Sequence, residues 1–162
     1  MLSADRADYE RKGSRSIKYI FRKYEIRSII IIMKNILLWL WQFPQHILGV
    51  ILSAILDCEK NNGLYFFKSG YLSSFSLGNY IFINRRQDTE TTRKHNFGHS
   101  IQSKYLGVFY LILIGLPSVI GNMIDRVFHK KWTKVKRIKW YYSQPWEKAA
   151  DKLGRVNRMY CQ

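Results

Sequence analysis

Long apolar runs alternate with strongly basic segments along this chain. Residues 29–56 contain one charged residue, Lys34, and residues 105–124 contain none. Each run reaches the ~20 residues that a helix needs to cross the hydrocarbon core of a bilayer. Pro44 and Pro117 interrupt the two runs near their middles. Because proline removes a backbone donor, we expect each run to form two short helices that dip into a membrane and return, with a kinked spanning helix or a buried core helix as alternatives.

The segments outside these runs predict an α+β protein. It is mostly helical and membrane-associated, with a small antiparallel sheet beside a helix that carries histidines. Two parts are expected, a basic N-terminal amphipathic segment at 1–28 and a single membrane-embedded domain at 29–162. Within that domain we predict a sheet at 64–84 with strands 64–68, 71–75 and 79–84, a histidine helix at 89–104 and a C-terminal helix at 146–153.

Charge changes this picture by indicating an orientation and a partner. The net charge is +16 although 47% of the residues are hydrophobic, so basic and apolar residues are segregated. Residues 1–27 hold eight Lys or Arg and residues 125–139 hold seven, which places both segments on the cytoplasmic side by the positive-inside tendency. Basic residues mixed with aromatics favour anionic lipid headgroups as the partner, and nucleic acid is a minor rival because no RNA- or DNA-binding motif accompanies them. The predicted lipid-binding residues are Lys130, Lys131, Trp132, Arg137 and Trp140.

A metal site is the candidate chemistry. His95 and His99 are four residues apart and therefore share one face of a helix, and Glu147 follows about fifty residues later. In the metallopeptidase pattern H-E-x-x-H the second residue is a glutamate that removes a proton from the attacking water. Asn96 occupies that general-base position here. A carboxamide orients water but has no useful basicity near neutral pH.

These motifs carry a family resemblance. The string His95-Asn96-Phe97-Gly98-His99 followed by Glu147-x-x-Ala150-Asp151 resembles the gluzincin-type membrane metallopeptidases, which include prenyl-protein endopeptidases and bacterial heat-shock membrane peptidases. The stretch from His95 to Ser118 also resembles small bacterial membrane proteins that carry H-E-F-G-H. The resemblance implies a bacterial cytoplasmic membrane protein. The distribution of basic residues, together with a re-entrant second run, would leave its polar body on the cytoplasmic side.

The same resemblance implies the roles of the site residues. His95, His99 and Glu147 would bind Zn²⁺, and Asp151 would orient a ligand histidine. Gln102 lies on the polar stripe of the two histidines and joins Asp151 as a supporting residue. Gly98 allows a neighbouring strand to approach the helix closely.

Three functions follow from these patterns. The first is a zinc metallopeptidase-like membrane protein acting on a peptide or protein, and the second is a catalytically degenerate relative of it. The third is a non-enzymatic basic protein of the membrane surface without a metal. Arg93 and Lys94 disfavour a dication by repulsion.

If the apolar run at 105–124 crossed a bilayer fully, His95 and Glu147 would fall on opposite sides. We therefore expect that run to be re-entrant, the alternatives being a site within the bilayer boundary or a Glu147 that binds no metal.

Overall fold

Six α-helices and one small sheet make up residues 2–158, the part of the chain that this computed structural model describes, with side chains from residue 22 onward. The chain divides into two compact units, Met1–Leu40 and Trp41–Gln162. The fold is mostly helical with a small sheet, as the sequence predicted. The helices are α1 (Leu2–Trp41), α2 (Phe43–Ile55), α3 (Glu90–Leu106), α4 (Leu116–Phe128), α5 (Lys134–Tyr142) and α6 (Pro145–Leu153). The strands are β1 (Glu59–Asn61), β2 (Leu64–Phe67), β3 (Phe75–Leu77) and β4 (Tyr80–Asn84).

Helix α1 passes through position 28 without a break, so the basic segment 1–28 and the start of the first apolar run share one helix. Its apolar side chains are exposed, including Ile29 at 55% and Ile32 at 57%. Exposed isoleucines at consecutive positions leave a large apolar surface on this unit.

The break predicted in the first apolar run lies at Gln42, between α1 and α2. The second run is different, and the prediction that it divides into two short helices is wrong. Leu111–Phe128 is one helix, which starts with a π-helical turn at Leu111–Gly115 and continues as α4. Pro117 directly follows the π-helical turn, whose shifted hydrogen-bond pattern accommodates a residue without an N–H and lets the helix continue.

Among the described residues, Leu111–Phe128 is the one helix that is long and apolar enough by itself to cross a membrane. The segments Arg22–Trp41 and Phe43–Ile55 meet the same criteria when taken together. These criteria concern length and composition alone.

The sheet has the strand order β1-β2-β4-β3 and is mixed, which corrects the expected antiparallel sheet. Strands β2 and β4 are parallel, whereas β1 pairs with β2 and β3 with β4 in antiparallel hairpins. The first hairpin turns at Asn62 and Gly63, both with positive φ. An Asn-Gly pair is a strong hairpin signal, so β1 was detectable in the sequence although it was not predicted.

Residues 71–75 do not form the expected strand because a polar side chain holds the loop that contains them. Asn84 Nδ2 donates to the carbonyl oxygens of Ser69 and Leu72, at 2.8 and 2.7 Å. The Ser69 hydroxyl accepts from the amides of Tyr71 and Leu72. These bonds satisfy backbone groups that a strand would pair, so the third strand begins later, at Phe75.

Helix α3 is the central element, with β3 and β4 on one side and α6 on another. It begins where the Thr89 side chain accepts a hydrogen bond from the amide of Thr92, which satisfies one of the free donors of the first turn.

Glycines allow α3 and α6 to approach closely. A Cβ at Gly98 would lie 2.7 Å from the Ala150 carbonyl carbon, and a Cβ at Gly154 would lie 2.8 Å from that of Lys94. The close neighbour of Gly98 is therefore a helix, and not the strand expected from the sequence.

Candidate metal centre

The buried group formed by His95, His99 and Glu147 could hold a metal ion. His95 Nε2 is 3.1 Å from Glu147 Oε2, and His99 Nε2 is 3.3 Å from the same oxygen. The two histidines are 6% exposed each and Glu147 is fully buried. One ligand atom from each residue lies within 4.8 Å of the others, so the three converge on one point.

Helix geometry explains the convergence. His95 and His99 are one turn apart on α3 and their ring centroids are 4.7 Å apart. Glu147 lies in the first turn of α6. The contact between Gly98 and Ala150 lies close to these groups, because Gly98 directly precedes His99 and Ala150 lies one turn after Glu147. Close packing of the two helices thus sets the distance between the imidazoles and the carboxylate.

Hydrogen bonds at the far side of each ring determine which nitrogen faces Glu147. Gln102 Nε2 donates to the carbonyl oxygen of Trp146 at 2.8 Å, so Gln102 Oε1 must be the atom that lies 2.7 Å from His99 Nδ1. An amide oxygen can only accept, and His99 Nδ1 therefore carries the proton. His95 Nδ1 lies 2.7 Å from Asp151 Oδ1 and donates to it in the same way. Both neutral rings would present their Nε2 lone pairs to Glu147.

This arrangement calls for a positive charge. Two lone pairs directed at a carboxylate oxygen at 3.1 and 3.3 Å repel it, and burial prevents water from screening the repulsion. Either an additional proton on an imidazole or a metal ion removes the conflict. The donor set of two imidazoles and one carboxylate, each supported by a second hydrogen bond, is chemically suited to a divalent metal.

The pKa shifts have the same electrostatic origin. Burial raises the pKa of Glu147, but with an additional proton on an imidazole Nε2 the hydrogen bonds from His95 and His99 outweigh burial and hold that pKa well below its usual range. Burial lowers the pKa of His95, and its bonds to Asp151 and Glu147 raise it above the ordinary value. Glu147 is thus the carboxylate anion that a metal ligand has to be.

Asp151 is itself held in place by a cation. Arg158 donates from Nε to Asp151 Oδ2 at 2.6 Å and from a terminal nitrogen to Oδ1 at 3.0 Å. Burial raises the pKa of Asp151, and the bonds from His95 and Arg158 lower it further than burial raises it. The predicted supporting residues Asp151 and Gln102 therefore lie directly behind the two histidines. Arg158 was not among the predicted residues.

Asn96 has an incomplete set of hydrogen bonds. It is 2% exposed, and its Nδ2 donates to the carbonyl oxygen of Thr92 at 2.9 Å. Its Oδ1 is buried and has no hydrogen-bond partner among the described residues. Buried acceptors without a partner are uncommon in native proteins, so this oxygen is available to accept a bond from a water or a ligand.

Ser118 is a second residue of the site that sequence analysis missed. Its hydroxyl donates to Glu147 Oε1 at 2.6 Å, and it lies 2.9 Å from the Tyr141 hydroxyl. A hydroxyl in an uncharged apolar run, directly after Pro117, was the available signal, since polar groups in apolar segments need buried partners.

Cationic side chains near the histidines are paired away from the cluster. Arg93 makes two bonds to Asp88, at 2.7 and 2.8 Å, and Lys94 lies 2.6 Å from Glu90. Arg93, Lys94 and Glu90 are exposed on α3 and Asp88 lies just before it, so these ion pairs largely neutralise the repulsion expected from Arg93 and Lys94.

The predicted lipid-binding residues occupy the end of α4, the following loop and α5. Lys130 and Lys131 are exposed. Trp132 stacks on His129 with ring centroids 3.8 Å apart, and Trp140 contacts the same imidazole at 4.3 Å. Arg137 instead makes a two-point ion pair with Asp125, with a shortest distance of 2.7 Å. Its guanidinium is therefore engaged within the protein.

In comparisons with known proteins, no family model matches the chain, and neither a curated protein nor a solved structure matches it. The chemistry of the site has to be inferred from its own geometry.

Proposed function

We propose that this chain is a membrane protein of the metallopeptidase type that holds Zn²⁺ through His95, His99 and Glu147. The observation that carries the proposal is the convergence of three buried ligand atoms, one each from His95, His99 and Glu147. The Nδ1 protons of the two histidines are already donated to Asp151 and Gln102. Two histidines, one carboxylate and an open fourth position are the ligand set of catalytic zinc sites.

A zinc ion in this site would supply Lewis-acid polarisation of a peptide carbonyl and acidify a bound water. Asn96 follows His95, and its Oδ1 has no hydrogen-bond partner among the described residues, so it can orient a water by accepting a hydrogen bond. It cannot take the proton, because a carboxamide has no useful basicity. Loss of a general base reduces rates by about 100- to 10,000-fold. We therefore infer a slow peptidase or a catalytically degenerate relative that retains the metal.

The membrane part of the proposal is supported by the apolar surfaces. Val119, Met123 and Val127 of α4 are each 58–60% exposed, which is costly in water and favourable in lipid. Lys130 and Lys131 directly follow this helix, as expected at a cytoplasmic boundary with anionic headgroups.

Ser118 indicates the depth of the metal site. It lies seven residues into the helix Leu111–Phe128, or roughly 10 Å along its axis at 1.5 Å per residue. Since Ser118 contacts Glu147, we infer that the site lies within the bilayer boundary. This proposal takes the alternative of a site within the bilayer boundary in place of a re-entrant run, and a peptide substrate would have to enter the membrane to reach the metal.

Metal analysis of the full chain in lipid nanodiscs tests the site. We expect about one zinc per chain, lost in His99→Ala and retained in His129→Ala, which removes a histidine that stacks on Trp132 outside the cluster. A wild-type protein that contains and binds no zinc would contradict the proposal.

Hydrolysis is tested by comparing wild type with Asn96→Glu on a casein and peptide library, with Asn96→Gln as the matched carboxamide control. Cleavage by Asn96→Glu alone would identify the natural protein as a degenerate relative. Cleavage by wild type would identify a slow peptidase. If zinc is bound and no variant cleaves, the peptidase part of the proposal fails.

A second candidate, a basic membrane-surface protein without a metal, is favoured by the exposed lysines after α4. It predicts salt-sensitive binding of anionic vesicles, absence of zinc and no binding of RNA. The metal analysis above separates it from the first candidate.

A further inference from the structure

The two oxygens of the Glu147 carboxylate have different partners. Oε2 faces Nε2 of both His95 and His99, at 3.1 and 3.3 Å. Oε1 accepts a hydrogen bond from Ser118 Oγ at 2.6 Å. A carboxylate buried this completely needs a partner on each oxygen, and here one oxygen is directed to the histidines and the other to α4.

A second hydroxyl orients the serine. Ser118 has one hydroxyl proton, and the carboxylate can only accept, so that proton points to Glu147. The Tyr141 hydroxyl, 2.9 Å from Ser118 Oγ, must then be the donor of that contact. The hydrogen bonds run in one direction, from Tyr141 to Ser118 to Glu147.

We propose that Ser118, oriented by Tyr141, is a positioning residue that makes Glu147 bind the metal through Oε2 alone. The inference rests on the proposed metal site. A free carboxylate can bind a metal through one oxygen or both, and the second mode fills the position that a water or a carbonyl oxygen would use. The hydrogen bond on Oε1 holds that oxygen away from the histidines, so the fourth position stays open.

The same contact connects the metal site to the apolar helix. Ser118 belongs to α4, whereas Tyr141 and Glu147 belong to α5 and α6. A displacement of α4 along its axis would remove the hydroxyl from Glu147 and change the ligand's binding mode.

The experiment uses the full chain in nanodiscs and compares wild type with Ser118→Ala, Ser118→Thr and Tyr141→Phe. Zinc affinity is measured by competition with a chromogenic chelator, and the coordination number is followed by the visible spectrum of the Co²⁺-substituted protein. Ser100→Ala is the matched control, because Ser100 is a buried serine of α3 whose hydroxyl donates to the carbonyl oxygen of Phe97.

We expect Ser118→Ala to weaken zinc binding by about 10- to 100-fold, the usual effect of losing a group that supports a ligand. Its Co²⁺ spectrum should lose intensity as the metal gains a fifth ligand. Ser118→Thr should restore both properties because it keeps the hydroxyl, Tyr141→Phe should give a smaller loss, and Ser100→Ala should match wild type.

A Ser118→Ala protein with wild-type affinity and spectrum would overturn the assignment, as would a Ser118→Thr protein that behaves like Ser118→Ala. Absence of metal from wild type would overturn the assignment together with the proposed function. Zinc binding that depends on Ser118 without hydrolysis by any variant would support the assignment while removing the peptidase activity.

Discussion

The close approach of α3 and α6 should make Gly98→Ala a mutation that weakens metal binding without changing a ligand. A Cβ at this position would lie 2.7 Å from the Ala150 carbonyl carbon and 3.0 Å from the Gly154 amide nitrogen. Carbon atoms pack best at about 3.5–4.0 Å, so the helices have to separate locally by about 1 Å. Glu147 moves with α6, while metal–ligand distances tolerate only about 0.2 Å.

We expect zinc affinity to fall by about 100-fold, which corresponds to about 2.8 kcal/mol at about 1.4 kcal/mol per factor of ten. Global stability should change less. Overpacking costs about 1–3 kcal/mol, and replacing a helical glycine with alanine recovers about 1 kcal/mol of helix propensity. Affinity is measured by chelator competition and stability by thermal unfolding of the metal-free protein in nanodiscs.

Gly121→Ala is the control, since its Cβ would meet Tyr141 at 3.8 Å, an ordinary contact. This variant should keep wild-type zinc affinity and unfold at an equal or higher temperature. The reasoning would be refuted if Gly98→Ala bound zinc as tightly as Gly121→Ala, because the helix separation would then not control the site.

Three further predictions concern the ligand support, the metal and the core. Asp151→Asn keeps an oxygen but weakens the bond to His95 Nδ1, and it should lower zinc affinity by about 10- to 100-fold in a chelator titration; unchanged affinity would contradict a role for this carboxylate. Removing the metal with a chelator should lower the unfolding temperature, because zinc at 100 times its Kd stabilises a protein by about 2.7 kcal/mol; His99→Ala should show no such change. Phe82 is fully buried and stacks on Phe75 at 4.7 Å, so Phe82→Ala should cost about 3–5 kcal/mol in denaturant unfolding, whereas the same change at Phe97, which is 49% exposed, should cost much less.

Local patterns in the sequence were sufficient for much of the fold. The helices predicted at 89–104 and 146–153 begin and end within two residues of α3 and α6. Pro145 and Gly154 lie at the two ends of α6 because these residues start and stop helices by local backbone chemistry. The break at Gln42 was predicted from Pro44, two residues later, in the same way. Such signals depend on a few consecutive residues and need no knowledge of the rest of the chain.

Predictions that depended on distant partners were less accurate. The 71–75 loop is set by bonds from Asn84, and the parallel pairing of β2 with β4 requires a crossover that no local pattern specifies. Pro117 was expected to divide the second apolar run, but the π-helical turn before it lets the helix continue through the proline.

The candidate site shows the same division. The sequence by itself determined the residue types and the shared face of His95 and His99, because one helical turn separates them. Only the tertiary structure decided that Glu147 lies 3.1 Å from His95, since that distance depends on the Gly98–Ala150 crossing of two helices about fifty residues apart. It also added Ser118 and Arg158, whose roles arise from burial next to a carboxylate. Helix periodicity is a local property of the backbone, whereas the contacts that complete a buried site depend on how whole helices pack.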